Sequence, residues 1–312
     1  MIYLLIIFFL SLFSFLELFG IQPIEKLFVI FITFLLLFFF SALRYETGPD
    51  YGSYKIYFEE LDISFLGFLE PIYIVLLVFY RDYLSASYQF FLATIAFISI
   101  SLKFNFFYKT SKLIFLTLIL YFCSTFINHD FGQVRQGIAT SFILLAFYYQ
   151  LKGEKWLYFL LVAIAVGFHY SAIVALLSLV IIRPNISLKA MVLVMIATLF
   201  IGLLMQPQFV APIFNLILPS AISQKVMDYF TNEFGERLGL SFGRILRLIP
   251  VIIGHRYLLN TQRNKKIWQP ILNLYFSGVV MFFILSFNSV FAARISSYFI
   301  SLDMIIVPSA IY

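Results

Sequence analysis

The sequence predicts an all-α, polytopic integral membrane protein, and three observations carry that prediction. Only 12% of the 312 residues are charged, about half the share of an ordinary soluble domain. Hydrophobic residues make up 62%, more than a folded soluble chain can bury. The apolar residues gather in runs of membrane-spanning length, and the charged ones fall between the runs. A soluble chain of this length needs a charged surface, so soluble enzyme classes are excluded at the outset.

Segments 2–19, 27–43, 88–104, 113–127, 137–149, 189–204, 245–259, 271–287 and 295–311 each read as a crossing. The first is apolar from its first residue and lacks both a basic n-region and a small-residue cleavage site. It therefore reads as a transmembrane helix and not as a cleavable signal. Segment 65–80 is interrupted by Glu70-Pro71, and segment 156–182 is too long for one crossing and holds Phe168-His169-Tyr170-Ser171 at its centre. Both read as re-entrant or broken, because irregular backbone at membrane depth is tolerated where it lines a cavity. The sum is roughly ten or eleven crossings in a single transmembrane domain, 1–312. Two hydrophilic stretches, about 44–70 and 205–243, are short of Lys and Arg and are expected on the outer face. The groups Lys103/Lys109/Lys112, Lys152/Lys155 and 255–266 are expected in the cytoplasm.

The net charge of +6 is then topological, and nucleic acid is not an expected partner; the lipid membrane is. The one cysteine, Cys123, excludes an internal disulfide framework. Three widely spaced histidines, with no D-x-D, H-E-x-x-H or Walker A pattern, predict no metal site, no cofactor and no ATP hydrolysis.

Four stretches collect the residues that can do chemistry. The first runs from Arg44 to Tyr54, where Gly48, Pro49 and Gly52 favour a tight turn that brings Arg44 and Asp50 together at the membrane surface. Arg44 is suited to clamping a phosphate, and Asp50 to taking a proton or binding a hydroxyl. The plain alternative is an exposed loop with a snorkelling arginine. Tyr45, Tyr51, Tyr54 and Tyr57 offer rings for stacking on sugars or for an interfacial belt. The second stretch, 129–139, puts Arg135 and Gln136 near a helix N-terminus. Two positive features at one place favour a bound anion such as phosphate or pyrophosphate; the alternative is an interface anchor. The third is His169, an ionisable group in the middle of an apolar run and hence a candidate base or anion contact; the alternative is a structural histidine bonded to a neighbouring helix. The fourth is Arg294 with Tyr298, one turn apart on one helix face and a second candidate phosphate clamp. Arg244 and Arg247 are a further clamp or simple anchors.

Arg44-x-x-x-Gly48-x-Asp50-x-x-x-Tyr54, Glu70-Pro71-Ile72-Tyr73, Arg135-Gln136-Gly137-Ile138-Ala139, Phe168-His169-Tyr170-Ser171-Ala172 and Arg294-x-x-x-Tyr298 follow one another along the chain. In that order they resemble the motifs of the EpsG/Wzy-type family of polysaccharide polymerases, which make O-antigen, capsule or exopolysaccharide. The resemblance implies a GT-C-like glycosyltransferase of the bacterial inner or plasma membrane. Such an enzyme moves a growing glycan from its polyprenyl-pyrophosphate carrier onto a lipid-linked repeat unit on the outer face, without nucleotide sugar or metal. It also implies a chain-length regulator protein as a partner. Under this resemblance Arg44, Tyr54, Glu70, Arg135, Gln136, Arg294 and Tyr298 are expected to bind substrate. Asp50 and His169 are the expected catalytic residues, either of them the base, with Asp50 favoured at the acceptor sugar and His169 at the pyrophosphate or as the base. An O-antigen ligase-like or acyl transferase would share an outer-face site of this kind. A flippase or transporter is expected to carry a membrane-embedded charge relay, whereas these apolar runs are almost free of acids, Glu17 and Asp303 excepted.

Overall fold

The structure is a computed structural model that describes residues 2–60, 69–206, 212, 216, 237–238, 241–259 and 262–312. No strand forms among these residues, so the fold is all-α. Most of the stretch expected as a second outer loop, 205–243, lies outside the described residues, as does 61–68, which holds the start of segment 65–80.

Local chemistry sets the helix ends. Helix α1 (Ile2–Phe19) is one unbroken apolar run. Helix α2 (Pro23–Ala42) starts with proline in its first turn, where the missing N–H has no partner to lose. The polar stretch beyond it is not all loop, because Tyr51–Glu59 form helix α3. Tyr51, Tyr54 and Phe58, spaced to share one face, are its buried residues. Glu70 immediately precedes helix α4 (Pro71–Val78), which again opens on proline. Helix α5 (Tyr88–Thr110) is capped by Ser87, whose hydroxyl accepts from the Phe90 N–H. Helix α6 (Ile114–Leu120) runs on as a π-helix from Tyr121 to Gly132. The chain breaks at Gln133 and restarts as α7 (Val134–Leu151). Helix α8 (Lys155–Phe168) stops at His169, which is extended, and Tyr170–Leu177 follow as a 3-10 helix. The expected break in segment 156–182 therefore falls at the histidine. Among the described residues, five helices are long and apolar enough to cross a membrane: 2–19, 23–42, 88–110, 114–132 and 264–284. Helices 155–168, 170–181 and 188–204 are apolar but shorter.

The chain divides into two compact units, 1–173 with 303–312, and 174–302. In the first unit α7 packs on α5 and α8, α2 on α5, α1 on α6, and α4 on α8. The α4–α8 contact is close at Gly167, where an added Cβ would meet the Ile72 side chain and force it to shift. The unit has two chemically distinct ends. Lys26, Lys109, Lys112, Lys152 and Lys155 sit at one end of α2, α5, α7 and α8, and Arg44, Glu70, Arg135 and His169 at the other. The 20 residues of α2 separate them by roughly 30 Å. At the basic end Glu17 accepts from the N–H groups of Ile114 and Phe115, both at 3.1 Å, and pairs with Lys26 at 2.6 Å.

In the second unit helix α9 (Ser178–Ile181) leads through an irregular link to α10 (Leu188–Leu204). Helix 262–284 packs on α9, α10 and helix 289–300. Its buried Asn273 donates to the Ile181 and Pro184 carbonyls at 3.1 and 2.7 Å, and Gln269 to that of Ile186 at 3.2 Å. Two side-chain amides thus satisfy the link. The apolar run 245–259 is not one helix but short α, 3-10 and π pieces around Pro250.

Candidate functional site

Glu70 is the hub of the polar end of the first unit. It is 1% exposed, and both carboxylate oxygens are engaged. Oε2 accepts from Nη1 of Arg135 at 2.6 Å, and Oε1 lies 3.0 Å from Nδ1 of His169. The Tyr170 backbone N–H also donates to Oε1, at 3.4 Å. These contacts join residues 65 and 99 positions apart. A carboxylate held by an arginine at this distance acts as the acceptor, so it fixes the imidazole of His169 through Nδ1. The local causes are plain: Pro71 starts α4 directly after Glu70, the break at Gln133 puts Arg135 in the first turn of α7, and Gly167 draws α8 against Ile72.

The Arg135 guanidinium also lies over two tyrosine rings, 5.3 Å from Tyr54 and 5.6 Å from Tyr73. Those rings are 6.2 Å apart. Gln136, beside it, is buried. Tyr73, within the Glu70-Pro71-Ile72-Tyr73 motif, was not among the expected site residues. It is fully buried, and its hydroxyl meets no hydrogen-bond partner among the described residues.

Arg44 departs most from expectation. It neither snorkels nor pairs with Asp50. It is 4% exposed, with its guanidinium 5.9 Å from the Tyr51 ring and 5.6 Å from that of Phe131. None of its three guanidinium nitrogens has a hydrogen-bond partner among the described residues. The backbone around it is tied down: the Gln89 amide donates to the Ala42 carbonyl and, at 3.1 Å, to that of Arg44. Gly48, at φ +103°, holds the following turn in a conformation open to glycine, and an added Cβ there would lie 3.2 Å from the Phe131 carbonyl oxygen. Burial pulls the Arg44 pKa below the ordinary arginine value, as expected for a cation taken out of water among ring faces without a hydrogen-bond acceptor. Asp50 instead takes a hydrogen bond from the Tyr54 hydroxyl one turn on, at 3.2 Å. The structure thus gathers Asp50, Tyr54, Glu70, Arg135 and His169, and sets Arg44 against Tyr51 on the same short helix. Arg294 and Tyr298 stand one turn apart on helix 289–300 of the second unit, with Tyr298 buried.

A second polar cluster lies in the same unit, and the sequence reading misplaced one member. Lys103, expected as a cytoplasmic anchor, is fully buried and pairs with Asp130 at 2.7 Å. Its ammonium also meets the Gly137 carbonyl at 2.8 Å and the hydroxyls of Ser99 and Ser141 at 2.9 and 3.0 Å. Asp130 takes further hydrogen bonds from Ser99 and, at 2.7 Å, from Tyr121. The membrane-spanning helices 88–110 and 114–132 therefore do hold a buried charge pair. Its hydrogen bonding is saturated, so it offers no open position to a travelling ion.

A family model described as the EpsG family matches residues 27–312. No curated protein and no solved structure matches the chain.

Proposed function

The chain belongs to the EpsG family, a membership consistent with polysaccharide polymerisation in general, and from that premise we propose that it transfers a growing glycan from a polyprenyl-pyrophosphate carrier onto a lipid-linked repeat unit. One observation carries the reading: a buried guanidinium, Arg44, that no described protein group satisfies. Leaving such a group unpaired costs about 1–3 kcal/mol, and more when it is charged. A bound anion removes that cost. A lipid pyrophosphate supplies one, and its charge grows as the bond to the sugar breaks.

In this reading the acceptor hydroxyl oxygen attacks the anomeric carbon of the donor glycan. The bond from that carbon to the pyrophosphate oxygen breaks, and its electron pair stays on the pyrophosphate. Arg44 and Arg135 hold the leaving group, and Gln136 orients it. His169, oriented by Glu70 through Nδ1, takes the hydroxyl proton. Asp50 and Tyr54 hold the acceptor sugar. Arg294 and Tyr298 are assigned to substrate binding on their motif alone. The lysine-rich end of the first unit favours the cytoplasmic side, which supports an outward-facing site. A chain-length regulator protein is a proposed partner.

Incubation of the purified protein with polyprenyl-pyrophosphate-linked repeat units tests the proposal. A ladder of products is expected, and Arg44→Ala, Arg135→Ala and His169→Ala should each lower its rate by about a hundredfold or more. A single transfer product would reassign the protein to ligase-like transfer. Wild-type ladders from all three variants at normal protein levels would remove the site.

A further inference from the structure

We infer that the buried Lys103–Asp130 pair is a positioning device for Arg135, bridging the break in the backbone that delivers it. The inference rests on the reading of Arg135 as an anion contact.

Arg135 owes its place to the junction at Gln133, where the π-helical end of α6 stops and α7 begins. A break of this kind is a natural hinge, because helical hydrogen bonds that would fix one side against the other are interrupted. Lys103 reaches both sides of it. Its ammonium binds Asp130, before the break, and the Gly137 carbonyl and Ser141 hydroxyl, after it. Arg135 and Gln136 lie between those anchor points in sequence. The anchors are themselves held by contacts from their own and from other helices. The Asp130 carbonyl accepts from the Ser41 hydroxyl of α2 at 2.7 Å, its carboxylate from Tyr121 of α6, and Ser99 of α5 lies 2.9 Å from Ser141. Four helices thus meet at one ion pair, two residues from Arg135 along α7.

A buried pair is not needed for stability as such, since apolar or neutral replacements of both partners are often tolerated. What an ammonium does here, and a neutral side chain cannot, is bind a carboxylate, a backbone carbonyl and a hydroxyl at once across a hinge. Losing that grip lets the first turn of α7 shift, and a displacement of about 1 Å at such a group can cost up to a hundredfold in rate.

The test uses full-length protein in lipid nanodiscs and a short-chain polyprenyl pyrophosphate as the probe, with both binding and turnover measured. The neutral double variant Lys103→Met/Asp130→Asn should keep the wild-type melting temperature. Its affinity for the probe should fall about tenfold, and its kcat should fall more than its KM rises. Adding Arg135→Ala to that variant should weaken binding no further than Arg135→Ala does alone, because the pair acts through that arginine. Ser141→Ala, which trims one anchor and leaves the pair intact, should give a smaller loss in the same direction. Wild-type binding by both the double variant and Ser141→Ala would overturn the inference, as would additive losses in the Arg135→Ala background. If Arg135→Ala itself binds the probe normally, the reading of Arg135 fails first, and the inference fails with it.

Discussion

The first unit contains two buried cationic side chains with opposite surroundings. Lys103 is fully enclosed and meets a carboxylate, a carbonyl and two hydroxyls. Arg44, nearly as buried, meets ring faces and no hydrogen-bond acceptor among the described residues. Both carry the cost of leaving water. Only the first has its hydrogen bonds met within the protein, and under the proposed function that separates a side chain that completes the fold from one open to an anionic ligand. Arg135 stands between them: Glu70 holds one edge of its guanidinium, and its Nε meets no hydrogen-bond partner among the described residues.

The largest effect should come from breaking the satisfied side. Asp130→Asn strands the Lys103 ammonium in the interior and should destabilise the unit by about 3–5 kcal/mol. Adding Lys103→Met removes the stranded charge and should restore most of that loss. Chemical unfolding of the two variants in mild detergent checks both. An Asp130→Asn protein as stable as wild type would mean that the pair contributes nothing, and the contrast with Arg44 would fall.

Arg44 should respond with the opposite sign. Arg44→Met removes a buried charge that no hydrogen-bond acceptor among the described residues meets and keeps an apolar stem against the Tyr51 and Phe131 rings. Ligand-free protein should become more stable by about 1–3 kcal/mol. The same change should abolish the rise in melting temperature that a polyprenyl pyrophosphate gives wild type, since a ligand stabilises only the state it binds. A drop in ligand-free stability would place Arg44 with Lys103, as a part of the fold.

Much of this was legible before any coordinates. Long apolar runs are self-sufficient helices in lipid, so 2–19 was read with both ends right. The break at His169 was legible because an ionisable residue in the middle of a run is costly unless the backbone opens around it. Glu70-Pro71 was legible as an interruption, since proline starts helices and does not continue them. What sequence could not supply was pairing. Glu70 finds Arg135 and His169 from 65 and 99 residues away, and no local spacing encodes that. Lys103 was misread for a related reason. It lies at the end of an apolar run, where lysine ordinarily reaches water, and only its partner on another helix makes the interior bearable. Tyr73 was overlooked because a tyrosine in an aromatic-rich apolar run carries no signal until its hydroxyl is seen to meet no partner.

The smallest effect should come from the far end, where Glu17, half-buried with its carboxylate largely enclosed, is also satisfied. Helix α6 has Leu113 at its N-cap, which supplies no side-chain acceptor. Glu17 of α1 takes that role across the helix pair, accepting from the N–H groups of Ile114 and Phe115. Its pairing with the partly exposed Lys26 adds little, because the lysine stays hydrated. Glu17→Gln keeps one acceptor oxygen and loses the charge that faces the helix N-terminus, so the cost should be about 1 kcal/mol. Calorimetry should show that loss, and the polymerisation rate should not change, because α2 separates Glu17 from Arg44 by a full helix length. A rate that fell by more than the stability loss explains would mean that the π-helical end of α6, which carries Asp130, feels how α6 begins. The saturated and unsaturated cations would then belong to one coupled element, and their contrast would be a property of the whole helix instead of two separate sites.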